Sequence, residues 1–147
     1  MSMQRIMVAT DGSAGAHRAV EVAAALAKAL DGELLIVTVG GNFPGGEIRQ
    51  LAHAEGGVGE AEELLCNHIL REARERAHRA GARRIGTRTR WGDPAKEIIE
   101  AVQGERCDIL VVGRRGRGQV AGLLLGSVSQ QALSRAPCIV VVRCGLI

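Results

Sequence analysis

Five short runs of aliphatic and β-branched residues alternate with amphipathic stretches along the chain, and this alternation most constrains its fold. Ile6 to Thr10 is the first run, ending at Asp11-Gly12-Ser13, where Ser13 is a good N-cap for an Ala-rich helix from Ala14 to about Leu30. In that helix Ala19, Val22, Ala23, Leu26, Ala27 and Leu30 recur at three- and four-residue spacing, predicting one buried face. Asp31-Gly32 closes it. Leu34 to Val39 is then apolar throughout, as expected of a strand covered on both faces.

Residues Gly40 to Gly59 show no sustained period and read as a long connection, a kind of loop that often serves as a lid or a contact. A helix is expected from about Glu60 to Ala80, with Leu64, Leu65, Ile69, Ala73 and Ala77 inward and Arg71, Arg74, Glu75 and Arg79 outward. From Arg83 to Arg90, Ile85, Thr87 and Thr89 alternate with Arg84, Arg88 and Arg90. Charge on one side describes a half-exposed edge strand. Asp93-Pro94 supplies an N-cap and a first-turn proline for a helix to about Gln103, with Ile98, Ile99 and Val102 as its apolar stripe. Cys107 to Val112, a helix from about Ser127 to Ser134, and Pro137 to Val142 complete the order β-α-β-α-β-α-β-α-β. Strands this apolar imply a parallel sheet with helices on both faces and right-handed crossovers.

With 147 residues, the chain is expected to form a single α/β domain over residues 1–147. One Phe, one Trp and no Tyr leave no aromatic platform for single-stranded nucleic acid. A net charge of +3 does not call for a nucleic-acid partner either. No apolar run reaches membrane-spanning length, and the first residues do not read as a signal peptide, so a soluble, cytoplasmic protein is expected. Cys66, Cys107, Cys138 and Cys144 lack metal-ligand spacing and read as small hydrophobes.

The informative stretch follows the fourth strand, from Gly113 to Ser127. Glycines let backbone N–H groups approach an anion, and Gly126-Ser127-Val128-Ser129 opens a helix whose unpaired N–H groups form a phosphate site. Arg114, Arg115 and Arg117 add charge, although exposed loop arginines are commonly just solvated. GxxxxGK[ST] is absent. Gly116-x-Gly118-x-x-Ala121 meets the loose dinucleotide pattern, but it follows the wrong strand and no acidic residue lies about 20 positions on.

Gly113-x2-Gly116-x9-Gly126-Ser127 resembles, at full spacing, the GxxGx9G[ST] nucleotide-binding signature of the universal stress protein family. The resemblance extends to Asp11-Gly-Ser, Gly92-Asp93-Pro94-Ala95-x-Glu97-Ile98, Cys107-Asp108-Ile-Leu-Val-Val-Gly113 and Ala136-Pro137-Cys138-Ile-Val-Val-Val142. It implies an open five-stranded parallel sheet of order 3-2-1-4-5, Rossmann-like and of the adenine nucleotide alpha hydrolase type. It also implies a homodimer paired through the last strand, Ile139 to Val142, and bound ATP, with Mg2+ accompanying it. That order puts the chain reversal between the first and fourth strands, where such sheets bind ligands.

By the same resemblance Asp11 should contact the ribose or a phosphate-bound Mg2+, with the backbone of Ala9 nearby; a turn-capping role is the alternative. Backbone groups at Val39 should meet adenine. Gly113 and Gly116 should let the loop pass close to the phosphates, with Gly126, Ser127 and Val128 cradling them. His17, His53, His68 and His78 adjoin no candidate nucleophile, so at most slow hydrolysis is expected. The expected function is an ATP-dependent regulatory switch in stress response, acting on unidentified protein partners. A nucleotide-independent dimeric interaction module is the alternative. With so few rings, the base should be held by backbone and aliphatic contacts unless Phe43 folds in.

Overall fold

The computed structural model describes residues 4–41, 58–113 and 127–143. The chain runs β1 (Arg5–Ala9), α1 (Ala14–Leu30), β2 (Glu33–Gly40), α2 (Val58–Arg79), β3 (Arg84–Trp91), α3 (Pro94–Gly104), β4 (Ile109–Gly113), α4 (Ser127–Arg135) and β5 (Ile139–Arg143). The strands form one parallel sheet in the order β3-β2-β1-β4-β5. Element order and strand order are those expected. The connection between β2 and α2 lies outside the described residues over positions 42–57.

Both faces of the central strands are covered, so period-two alternation sends apolar residues to two separate cores. Ile6, Val8, Leu34, Ile36 and Val111 pack beneath α1 and α2, against alanines such as Ala19, Ala23, Ala73 and Ala77. Met7, Leu35, Val37, Leu110 and Val112 turn the other way, onto Ile98 and Val102 of α3 and Ala132 of α4. Alanine-faced helices lie close to the sheet. Branched aliphatic strands then fill the space that rings occupy in other cores.

Local chemistry sets the ends of α1. Ser13 Oγ accepts from the Ala16 N–H at 3.3 Å. At the other end Asp31, rather than the glycine after it, takes the left-handed position with φ 51°. Glycine is required at 32 for another reason: a Cβ there would lie 2.7 Å from the Gln4 carbonyl oxygen. The buried face of α1 is Ala16, Ala19, Val20, Ala23, Ala24 and Ala27, whereas Leu30 is 44% exposed. This corrects the expected face, because a segment so uniformly apolar leaves its rotation open. Leu64 of α2, also expected inward, is likewise exposed.

At the edge strand β3, Arg84 pairs with Asp31 (3.3 Å), Arg88 with Glu105 (2.9 Å) and Arg90 with Glu97 (3.0 Å). Each pair contributes at most about 1 kcal/mol, but charge along the edge discourages another strand from adding there. At the amino end of the sheet, Arg5 pairs with Glu33 (3.4 Å), and its N–H donates to Asp108 Oδ2 (2.8 Å). Among the described residues no helix is long and apolar enough to cross a membrane.

Candidate functional site at the carboxyl ends of the strands

β1 and β4 are neighbours in the sheet, yet the helices they lead into cover opposite faces. Open parallel sheets bind ligands in the crevice expected where two such connections diverge. Ala9 ends β1 and Gly113 ends β4, so both border it.

Three side-chain acceptors fold the loop that leaves β1. The Gly12 N–H donates to Thr10 Oγ1 (3.2 Å), the Ser13 N–H to Asp11 Oδ1 (2.9 Å) and the Ala16 N–H to Ser13 Oγ (3.3 Å). Gly12 sits at φ 81°, where a Cβ would be strained. Asp11 therefore has the turn role, through Oδ1. The same bond orients its carboxylate within the turn between β1 and α1.

Gly113 lies against the first turn of α1. A Cβ there would come within 3.3 Å of the Gly15 carbonyl oxygen and 3.6 Å of the Ala16 N, so a side chain would press on the α1 backbone and glycine gives the closest fit. Its own carbonyl accepts from the Ser129 hydroxyl at 2.5 Å, and Ser129 is only 2% exposed. This bond locks the first turn of α4 to the end of β4. Sequence reasoning gave Ser129 no role, because its partner, the Gly113 carbonyl, is distant in sequence.

Ser127 is the first residue of α4. Val128 packs partly buried against the core beneath α3 and α4, as do Ala9 and Val39. Val39 lies next to the end of β2, in register with Arg90. Gly116 and Gly126, with Arg114, Arg115 and Arg117, lie outside the described residues.

Trp91 is the feature the sequence did not place. It ends β3 in register with Gly40, and its six-membered ring lies over that glycine: a Cβ on Gly40 would fall 2.3 Å from Trp91 Cζ3. The Gly92 N–H donates to the Gly40 carbonyl at 3.3 Å and pins the two strand ends together. An aromatic ring thus stands over the end of β2, beside Val39 in sequence but on the sheet face opposite to its side chain. The reason is topological, since β3 returns beside β2 after a whole helix. Phe43 lies outside the described residues.

His17 and His68 flank one carboxylate on the α1–α2 surface, with Nε2 atoms 3.7 and 3.5 Å from the two oxygens of Glu72. Among the described residues no group of three His, Cys, Asp or Glu is arranged to hold a metal ion. Cys66, Cys107 and Cys138 are free thiols. Burial pushes the Cys66 and Cys107 thiols up to about 11, with Glu62 and Glu63 adding to the first and Glu105 to the second. Thiols held neutral in this way are poor nucleophiles at physiological pH.

A sequence profile of the Universal stress protein family matches residues 3–143. A universal stress protein encoded in the QAH/OAS sulfhydrylase 3′ region of Thermus aquaticus is 36% identical over 138 residues, covering 90% of this chain and 93% of its own. One from Mycobacterium tuberculosis strain H37Rv is 35% identical over 133 residues, covering 89% of each chain. Among solved structures, a universal stress protein in complex with cAMP superposes with a TM-score of 0.72 at 34% identity, covering 97% of this chain and 98% of the other. The chain belongs to the universal stress protein family.

Proposed function

We propose that this protein binds ATP in the crevice between β1 and β4 and acts as a nucleotide-dependent regulatory switch in stress response. The observation that carries the reading is the close approach of Gly113 to the first turn of α1, at the point where the two connections diverge. The motif-spaced glycines run in sequence from that residue to Gly126, immediately before α4. A family member at 34% identity has been solved with cAMP, which supports an adenine nucleotide as the ligand class.

In this reading Ala9, Asp11 and Val39 line the ribose and base side, and Gly113, Gly116, Gly126, Ser127 and Val128 line the phosphate side. Asp11 is the carboxylate assigned in this reading to a phosphate-bound Mg2+, an ion that is commonly held by one or two carboxylates together with the substrate phosphates. Its Oδ1 is oriented by the Ser13 N–H, which fits such a role. The reading includes at most slow hydrolysis, far below the roughly 1 per second of dedicated enzymes; His17 and His68 face Glu72 on the α1–α2 surface. A location in the cytoplasm and pairing of two copies through Ile139 to Val142 belong to the same proposal.

Equilibrium dialysis against ATP at millimolar concentration tests it. Saturable binding, weakened by Gly126→Leu in a protein of unchanged oligomeric state, is the expected result. No binding at that concentration would leave the nucleotide-independent interaction module as the function.

A further inference from the structure

We propose that Trp91, seated on Gly40, is a stacking surface for the base of the bound nucleotide, a step that rests on the nucleotide-binding reading above. Five large apolar side chains among the described residues are exposed: Leu30, Leu64, Trp91, Leu133 and Ile139. Three of them lie on helices, and Ile139 begins its strand. Trp91, 48% exposed, is the one at the carboxyl end of a strand, on the same rim of the sheet as Ala9 and Gly113.

The local construction keeps the ring at that rim. Gly40 has no side chain, so the ring lies directly over the end of β2, and the Gly92 N–H holds the β3 end to the Gly40 carbonyl. The residues around it favour this arrangement. Gly41 (φ 98°) and Gly92 (φ 130°), each next after a strand end, both occupy backbone conformations that favour glycine. Alternation places Trp91 with Ile85, and Gly40 with Leu34 and Ile36, on the sheet face covered by α1. The Asp11 loop leads into α1 on that same face. Two strand spacings, about 10 Å in all, separate β1 from β3, so a ligand anchored at Asp11 and extending along the rim passes the end of β2 towards the ring.

Stacking on an aromatic face is worth roughly 5- to 150-fold in affinity per base when probed by alanine substitution. It also distinguishes a nucleotide from its phosphate chain. Trp91 is the only tryptophan, so the intrinsic emission of the intact protein reports this one ring.

The test combines emission with equilibrium dialysis, using ATP and, as a probe without a base, inorganic tripolyphosphate. The expected result is an emission change that saturates with ATP binding and is absent with tripolyphosphate. Trp91→Ala should weaken ATP by at least about 5-fold while leaving tripolyphosphate unchanged, and Trp91→Phe should stay within about threefold of the parent. The emission arm does not depend on how well a variant folds. ATP bound by dialysis with unchanged emission, or bound by Trp91→Ala within about twofold of the parent, overturns the role of Trp91 and leaves nucleotide binding standing. No ATP bound at all overturns the nucleotide reading and this inference together.

Discussion

Gly113 and Ser129 act at one joint, the first as the residue that admits the α1 backbone and the second as the donor to its carbonyl. Gly113→Val adds branched carbon against the Gly15 carbonyl and is expected to cost about 1–3 kcal/mol of stability by urea unfolding. Ser129→Ala, which removes a buried donor, should cost about 1 kcal/mol. The two effects should combine non-additively because they act on the same strand end. The buried thiols give a second residue-level expectation, and its sign follows from proton counting. Folded Cys66 and Cys107 keep their protons up to about pH 11, whereas the unfolded thiols release theirs near 9.0. Between those values the folded state binds more protons, so stability falls as pH rises through the window and is fully retained below it. Urea midpoints at about pH 8 and about pH 10 should show the loss, and Cys66→Ala should reduce it. A midpoint independent of pH across that range would mean that the thiols ionise equally in both states.

Helix starts are set by single residues, which makes the elements testable one at a time. Asp93 Oδ2 accepts from the Lys96 N–H at 3.0 Å, and Pro94 occupies the first turn of α3, so Asp93→Ala should cost about 1 kcal/mol in thermal or urea unfolding. Unchanged stability would show that α3 is held by Ile98 and Val102 in the core rather than by its cap. The same locality explains what the sequence disclosed. Ser13 and Asp93-Pro94 announce α1 and α3 because a cap and its helix are contiguous, and unbroken aliphatic runs announce strands covered on both sides. Rotation of α1 was not legible, since nearly every position from Ala19 to Leu30 is apolar and period alone does not choose a face. Strand order came from the family signature and not from periodicity. At the candidate site, Asp11 and Gly113 were legible as strand ends flanking turn residues. Ser129 and Trp91 were not, because the partners that give them meaning, the Gly113 carbonyl and the Gly40 backbone, are distant in sequence and meet them only in the folded sheet.

At the scale of the whole molecule, the two edges of the sheet differ. β3 carries arginines held in ion pairs, whereas β5 is Ile139-Val-Val-Val-Arg143, with Ile139 64% exposed and none of its residues fully buried. An apolar edge whose charge is confined to its last residue, Arg143, invites another strand, and the simplest closed assembly of identical chains is a two-fold dimer. A two-fold axis beside β5 makes the two copies of the strand antiparallel, each giving hydrogen bonds from its outward backbone groups. The side of the strand that faces outward can be read from one bond. The Ile139 N–H donates to the Asp108 carbonyl at 3.2 Å and so points towards β4, and alternation turns the Val140 and Val142 N–H groups to the open edge. Val140→Pro therefore deletes a donor that the monomer does not use and a paired dimer does. Sedimentation at micromolar concentration should give a dimer for the parent and a monomer for Val140→Pro, with far-ultraviolet circular dichroism unchanged. A monomeric parent would end the edge-pairing proposal, and a dimeric Val140→Pro would move the interface off β5 while leaving the crevice at β1 and β4 untouched.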